Sequence, residues 1–172
     1  MKLLIEPEMK AGMKRIVQKC IELHGGGEEY FDELDGLIKE DKQFIISFFS
    51  YITQESETKN IIVSGELGNK IAALRNKYNW FLKNCNIEYV NGSLRKGEPI
   101  QYSNWKLDSY KNQPFIFVDD SYYSGKTLRM VRTYIEEVLG GYLQNSYVFY
   151  DGSEDNLDDV KSLYRYYDHF DN

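Results

Sequence analysis

The first third of the chain carries apolar residues at the spacing of helices. Between residues 8 and 24 they recur every three or four positions, which predicts an amphipathic helix that ends at the glycines 25–27. Residues 28–54 predict a second helical region, split near residues 39–42, whose latter half is apolar nearly all round and therefore belongs in a core. The buried stripe of the first helix consists of Met9, Met13, Ile16, Cys20 and Leu23, with Val17 as the alternative to Ile16.

Beyond residue 60, short apolar runs alternate with helical spacing. Each of these runs is rich in β-branched or aromatic residues and is bounded by turn residues, which predicts strands at residues 60–64, 87–90, 115–118 and 146–150. Helices are predicted at residues 70–78 and from near Ser124 to the glycines 140–141. Because strands that alternate with helices pair in parallel, the sequence predicts an α/β fold with an open, mostly parallel sheet of four to five strands flanked by helices.

We expect one domain, because 172 residues suffice for a single core. Its helical N-terminal region, residues 1–54, forms either a hood over a site or a surface for a partner. Residues 60–150 form the α/β core. Residues 151–172 add a short helix at 155–165 and then, at 166–170, a last strand or an ordered tail.

Composition excludes several classes of protein. A formal charge of -6 argues against general nucleic-acid binding, which needs a basic surface. Cys20 and Cys85 lack the spacing of a disulfide framework or a zinc site. No apolar run reaches the roughly 18 residues of a membrane span. Glu6 and Glu8 interrupt the N-terminal apolar run, so no signal peptide is expected and the predicted location is the cytoplasm.

Candidate chemistry is concentrated between the third predicted strand and the helix after it. Asp119 and Asp120 follow the strand directly, and their carboxylates suit vicinal hydroxyls or a hard cation such as Mg²⁺. The next residues form a polar loop before a helix, where free backbone N–H groups bind phosphate oxygens. This loop contains Tyr123, Ser124, Gly125, Lys126 and Thr127. A ligand with ribose hydroxyls at one end and a 5-phosphate at the other fits both halves.

Two other interpretations of this stretch are open. Ser124 to Thr127 could end a phosphate loop of the Walker A type, but that pattern needs glycine where Asp120 stands. The acids and Ser121 could also be an ordinary strand exit followed by a helix N-cap.

The segments 118–120 and 124–127 resemble the phosphoribosyl pyrophosphate (PRPP) motif of the type I phosphoribosyltransferases. The resemblance implies that Asp119 and Asp120 hold the ribose 2- and 3-hydroxyls, with Mg²⁺ reaching them through the ligand, and that residues 123–127 hold the 5-phosphate. Tyr123 stands where hypoxanthine-guanine members carry an aspartate that assists proton transfer at the purine. This departure counts against a purine-salvage mechanism that uses the position.

The same resemblance assigns a pyrophosphate loop after the first predicted strand. It covers Ser64, Gly65, Glu66, Leu67, Gly68, Asn69 and Lys70. Backbone N–H groups of residues 65–69 would hold the diphosphate, with Lys70 as a further cation. Glu66 is an acid in a place meant for an anion, and it would point either at Mg²⁺ or away from the site.

Arg95 and Lys96 match a basic pair that family members carry at the end of the second strand. By the resemblance, residues 97–112 would then be a mobile hairpin that closes over the site. The alternative is a solvated connector with two charges.

Two functions follow from these expectations. The first is a phosphoribosyltransferase that binds PRPP with Mg²⁺ and transfers the phosphoribosyl group to a nitrogenous base, releasing pyrophosphate. The second is a non-catalytic sensor of PRPP or a nucleotide that acts through a protein partner. In both, the ligand is a small sugar phosphate or nucleotide, and the resemblance implies a homodimer.

Overall fold

The computed structural model describes residues 2–24, 28–91, 101–102 and 110–170. Within these residues three helices come first, followed by six strands and three further helices. The helices are α1 (Glu6–His24), α2 (Glu28–Glu40), α3 (Lys42–Ser56), α4 (Gly65–Lys77), α5 (Lys126–Thr133), which continues as a π-helical segment (Tyr134–Leu139), and α6 (Tyr167–Phe170). The strands are β1 (Asn60–Ser64), β2 (Asn86–Asn91), β3 (Gln101–Tyr102), β4 (Pro114–Tyr122), β5 (Tyr142–Asp151) and β6 (Val160–Arg165).

The described strands form one sheet in the order β3-β2-β1-β4-β5-β6. The five strands from β2 to β6 in this order are parallel to one another, and the two-residue β3 is antiparallel to β2 at the edge. The prediction of an open, mostly parallel sheet flanked by helices, with a helical N-terminal region, is confirmed.

Apolar residues cover both faces of the sheet because successive strand residues point to opposite sides. In β1, Ile61 and Val63 pack on the side of helices α1 to α4, whereas Ile62 packs on the side of α5. The continuous apolar runs that predicted the strands therefore reflect burial on two faces rather than one.

The structure decides between Ile16 and Val17 in the predicted apolar stripe of helix α1. Val17 is fully buried together with Met9, Met13 and Cys20, whereas Ile16 is only partly buried. Leu23 is 59% exposed, so the stripe ends one turn earlier than predicted. Within the described part of the chain, no helix is long and apolar enough to cross a membrane.

The helix predicted at residues 155–165 is wrong. Residues 160–165 form β6, which pairs with β5 from Ser146 opposite Val160 to Asp151 opposite Arg165. Val160, Leu163 and Tyr164 have helical spacing, but so short a run does not distinguish a helix from a strand. Pairing also supplies hydrogen-bond partners to the outer side of β5, which would otherwise be an exposed sheet edge. The tail at 166–170 is then the short helix α6 rather than a strand.

The predicted boundary between loop and helix after β1 is also wrong. Helix α4 begins at Gly65, so residues 65–69 form its first turns and not a loop ahead of a helix starting at Lys70. Gly65 has φ of +58°, a conformation that suits glycine, and this lets the helix begin directly at the end of the strand.

Phe149 offers a test of the packing between the N-terminal helices and the sheet. Its ring is fully buried, with its centroid 4.1 Å from that of Phe48 and 5.3 Å from that of Phe44. Phe149→Ala should lower the free energy of unfolding by about 3–5 kcal/mol, because it opens a cavity between α3 and β5. Urea denaturation measures the change.

Tyr142→Ala is the matched control, since Tyr142 is an aromatic residue of the same strand that is 49% exposed. It should cost less than about 1 kcal/mol. Equal losses from the two substitutions would contradict the packing described here.

Candidate functional site

The candidate site lies where the carboxyl ends of β1 and β4 meet. The two strands are neighbours, with Ile61, Ile62 and Val63 opposite Ile116, Phe117 and Val118. After β1 the chain passes through α4 to β2 on one side, and after β4 it passes through α5 to β5 on the other. Open α/β sheets bind ligands in the crevice at such a reversal of strand order. The two predicted ligand segments, 64–70 and 119–127, border this crevice.

Asp119 and Asp120 belong to the last part of β4, which runs to Tyr122. The Asp120 backbone N–H donates to Oδ1 of Asp119 at 2.8 Å. Ser121 Oγ lies 3.4 Å from Oδ1 of Asp120 and donates to Oδ1 of Asp35, which belongs to helix α2, at 3.3 Å. The acid pair is thus part of a hydrogen-bonded cluster that includes the N-terminal region.

Burial and the neighbouring Asp120 carboxylate raise the pKa of Asp119 well above its usual range, and Asp35 adds to the effect. The backbone N–H of Asp120 opposes this shift but does not cancel it. The folded protein therefore keeps the proton of Asp119 to a higher pH than a free aspartate does. A ligand that donates hydroxyl hydrogen bonds or brings positive charge would favour the ionised form.

Lys39, in the last turn of α2, reaches into the same crevice. Its Nζ lies 2.7 Å from Oε2 of Glu66 and 3.7 Å from Oδ2 of Asp120. Burial lowers the pKa of Lys39, but the hydrogen bond to Glu66 and the charge of Asp120 outweigh it, and the net pKa is raised. The ammonium is therefore a stable positive charge between the two predicted ligand segments.

The predicted phosphate loop has a geometry that suits an anion. Gly125 has φ of +69° and precedes α5, whose N-terminus has no side-chain cap. Ser124 and Lys126 are exposed, and Thr127 is half-buried. A Cβ atom built on Gly125 would lie 2.6 Å from the Tyr122 hydroxyl and 3.1 Å from Arg129 Nη1. This position therefore requires glycine both for its positive φ and for lack of space. Arg129, the fourth residue of α5, is a basic side chain beside the loop that sequence reasoning missed.

Tyr123 connects the predicted phosphate loop to a series of packed aromatic rings. Its ring centroid lies 5.8 Å from that of Tyr150; Tyr150 stacks on Tyr164 at 5.9 Å, and Tyr164 stacks on His169 at 4.4 Å. Burial raises the pKa of the Tyr123 hydroxyl, so it keeps its proton and does not replace the aspartate of hypoxanthine-guanine enzymes as a base.

The predicted pyrophosphate segment divides between site and core. Ser64, Gly65 and Glu66 lie at the end of β1, beside the crevice. Leu67 is fully buried in the core, and Gly68 packs against β2, because a Cβ there would lie 2.8 Å from the Tyr89 ring. Asn69 is exposed and Lys70 is half-buried. Because Gly68 has no side chain, helix α4 can pack closely against strand β2.

Arg95 and Lys96 lie outside the described residues, as does most of the predicted hairpin at 97–112. Asp151, which ends β5, accepts hydrogen bonds from the backbone N–H and the hydroxyl of Ser153, the local pattern of an Asx turn.

The donor set of the crevice does not form a metal site of its own. Among the described residues, no group of three or more His, Cys, Asp or Glu side chains is placed to hold a metal ion. Both Asp120 and Glu66 face the Lys39 ammonium. A Mg²⁺ ion in this crevice would therefore need the ligand itself for most of its coordination.

Comparison with known proteins first defines the class of fold. No model of a protein family and no curated protein matches the chain. Among solved structures, the adenine phosphoribosyltransferase of Thermoanaerobacter pseudethanolicus aligns with a TM-score of 0.50 at 17% identity, covering 75% of this chain and 84% of that one. The chain therefore has the fold of the type I phosphoribosyltransferases, as the resemblance of residues 118–127 implied.

Two particular structures are similar at slightly lower scores. The purine phosphoribosyltransferase of Pyrococcus horikoshii has a TM-score of 0.48 at 16% identity, covering 70% of this chain and 79% of that one. A hypoxanthine-guanine phosphoribosyltransferase of Bacillus anthracis has a TM-score of 0.48 at 14% identity, with 76% and 77% covered.

The pKa of Asp119 generates a test by pH. Because this pKa is higher in the folded than in the unfolded chain, where it is about 4, the stabilising contribution is present below about pH 4 and is lost as pH rises through the folded-state pKa. Asp119→Asn keeps a neutral side chain throughout. Its stability relative to wild type should therefore increase as the pH rises above about 4, as measured by urea denaturation.

Asp158→Asn, at an exposed position before β6, is the control and should keep the wild-type profile. A difference between Asp119→Asn and wild type that does not change with pH would contradict the raised pKa of Asp119.

Gly125 generates a second test. Gly125→Ala should lower the free energy of unfolding by about 1–2 kcal/mol, because alanine is strained at positive φ and its Cβ would collide with the Tyr122 hydroxyl. Thermal unfolding measures this loss. In the control Gly36→Ala, no atom lies within 4 Å of the added Cβ, and helix α2 should gain about 0.5–1 kcal/mol. A stabilising Gly125→Ala would be incompatible with the loop geometry.

Proposed function

We propose that this protein binds PRPP in the crevice between β1 and β4 and transfers its phosphoribosyl group to a nitrogenous base. The observation that carries the proposal is the placement of the acid pair and the positive-φ Gly125 loop on one strand end at the reversal of strand order. Asp119 and Asp120 would accept hydrogen bonds from the ribose 2- and 3-hydroxyls. The N-terminus of α5 would hold the 5-phosphate, with residues 123–127 around it.

The two strand ends match the arrangement of groups in PRPP. The 5-phosphate and the diphosphate lie at opposite ends of the ribose, and the hydroxyls lie between them. In the crevice the Gly125 loop follows β4, whereas α4 starts at the end of the neighbouring strand β1. Asp119 and Asp120 belong to β4, the strand that leads into the loop. This order supports a ligand that lies across the ends of β4 and β1.

The proposed reaction exchanges one bond at C1 of the ribose. A ring nitrogen of the base forms a bond to C1, the bond from C1 to the diphosphate oxygen breaks, and the diphosphate leaves with the electron pair. The proton displaced from the base passes to solvent. The described side chains would bind and orient the ligand, and none has to act as a nucleophile.

Magnesium is proposed as a companion of PRPP rather than as a resident ion. Among the residues that the structure describes, the carboxylates near the crevice do not form a metal site by themselves, so a divalent ion would be carried by the diphosphate and would neutralise its charge. The cytoplasmic location and the homodimer expected at the outset remain predictions.

Calorimetric titration with PRPP and with ribose 5-phosphate, with and without Mg²⁺, tests the ligand. Both should bind, and replacing Asp119 and Asp120 with asparagine should abolish binding, because the hydroxyls lose their charged acceptors. The control changes two exposed acids, Asp155 and Asp158, to asparagine, which removes the same charge. Unchanged binding by the Asp119/Asp120 variant would overturn the site assignment.

A pyrophosphate-release assay over a panel of nucleobases tests the transfer. Release with one base would identify the acceptor. Binding of PRPP with no release for any base would contradict the transferase and leave a protein that only binds the ligand.

A further inference from the structure

Lys39 lies where two parts of the proposed ligand would meet. Its ammonium lies between Glu66, just after β1, and Asp120, on β4. In PRPP the diphosphate is attached to C1 and the first ribose hydroxyl to the adjacent C2. A cation between the acid pair and the start of α4 would therefore be within reach of a diphosphate whose ribose is held by the acid pair.

The two partners of Lys39 differ in their exposure. The Asp120 side chain is 16% exposed, as is that of Lys39, whereas the Glu66 side chain is 70% exposed. An ion pair with so exposed a partner contributes at most about 1 kcal/mol. Glu66 can therefore leave Lys39 at little cost when a multivalent anion arrives, while the less exposed Asp120 keeps the ammonium in the crevice.

Glu66 also lies at the N-terminus of α4, which favours negative charge. It lies in the first turn of α4, where the helix dipole favours negative charge. Its carboxylate is thus near the same N-terminus and the same ammonium that a diphosphate would use. A diphosphate and the Glu66 carboxylate would repel each other if both remained there.

We propose that Lys39 is the residue that binds the diphosphate of the ligand, and that Glu66 is an internal competitor that occupies Lys39 in the free protein. The identity of the anion rests on the proposed function. The N-terminal helical region then contributes directly to the ligand site through α2. The acid at position 66 is explained as the resting partner of this cation, pointing neither at a metal nor away from the site.

Calorimetric titration with inorganic pyrophosphate and, separately, ribose 5-phosphate in metal-free buffer tests the proposal. Glu66→Gln removes the competing charge and should tighten pyrophosphate binding about 5-fold, while ribose 5-phosphate affinity stays within about 2-fold. Lys39→Met removes the cation and should weaken pyrophosphate binding at least about 10-fold. Glu22→Gln and Lys42→Met, both at exposed positions, change the net charge equally and should leave both affinities unchanged.

Lys39→Arg keeps the test interpretable if Lys39→Met does not fold. The arginine keeps the charge and should retain pyrophosphate binding within about 3-fold of wild type. Equal pyrophosphate affinity in wild type and Glu66→Gln would overturn the proposal, and so would unchanged affinity in a folded Lys39→Met. Binding of pyrophosphate to neither wild type nor Glu66→Gln would overturn it as well.

The ribose 5-phosphate titration separates this proposal from the proposed function. If ribose 5-phosphate does not bind, the assignment of the acid pair and the phosphate loop fails, while the pyrophosphate titrations still decide the roles of Lys39 and Glu66. If ribose 5-phosphate binds but Glu66→Gln changes nothing, only the inference about Lys39 fails.

Discussion

The parallel pairing of β1 with β4 is the contact on which the candidate site depends. It aligns Val63 with Val118, so the residues that follow each strand emerge side by side at one edge of the sheet. Because the chain leaves these ends towards opposite sides of the sheet, a crevice remains between them. The acid pair, the Gly125 loop and the start of α4 are all positioned by this one register. A slip by one residue would turn every side chain of β4 to the opposite face.

The N-terminal helices both cover one face of the sheet and place charged side chains at the strand ends. They bury the sheet face formed by Ile61, Ile116 and Phe149, and α2 also carries Asp35 and Lys39 to the strand ends. Leu34 and Ile38, which are fully buried, hold the same helix against the core. The hydrophobic packing of α2 therefore determines where its charged side chains lie. The two roles expected for this region at the outset, a hood over the site and a surface for a partner, both remain predictions.

Features that are local in sequence could be predicted from it. The strands are short apolar runs because both of their faces are covered, and the acid pair and phosphate loop are contiguous, so their pattern survives without knowledge of tertiary contacts. Lys39 and Asp35 could not be found in this way, since only folding brings them to Glu66 and Ser121. The predicted split near residues 39–42 proved to be the junction of α2 and α3. It located the end of a helix but did not show which residues lie beside that end in the fold.

Two errors have a different origin. Residues 160–165 have apolar positions that suit a helix, and only the open edge of β5 selects the strand. The boundary at Gly65 was misplaced because glycines near a strand end were interpreted as a loop, whereas Gly65 starts a helix and Gly68 packs against Tyr89. In both cases a neighbouring element decided the outcome, and that neighbour is not visible in the local pattern.

The hydrogen bond from Ser121 to Asp35 joins residues that are 86 positions apart, and the pair between Lys39 and Glu66 joins residues 27 apart. The crevice is therefore built from contacts between residues far apart in the sequence, and closing the intervening chain costs conformational entropy. A folding intermediate with an intact β4 to β5 unit but undocked N-terminal helices would have the phosphate loop without Lys39. Ligand affinity in this protein would thus report completion of the whole fold rather than formation of the loop.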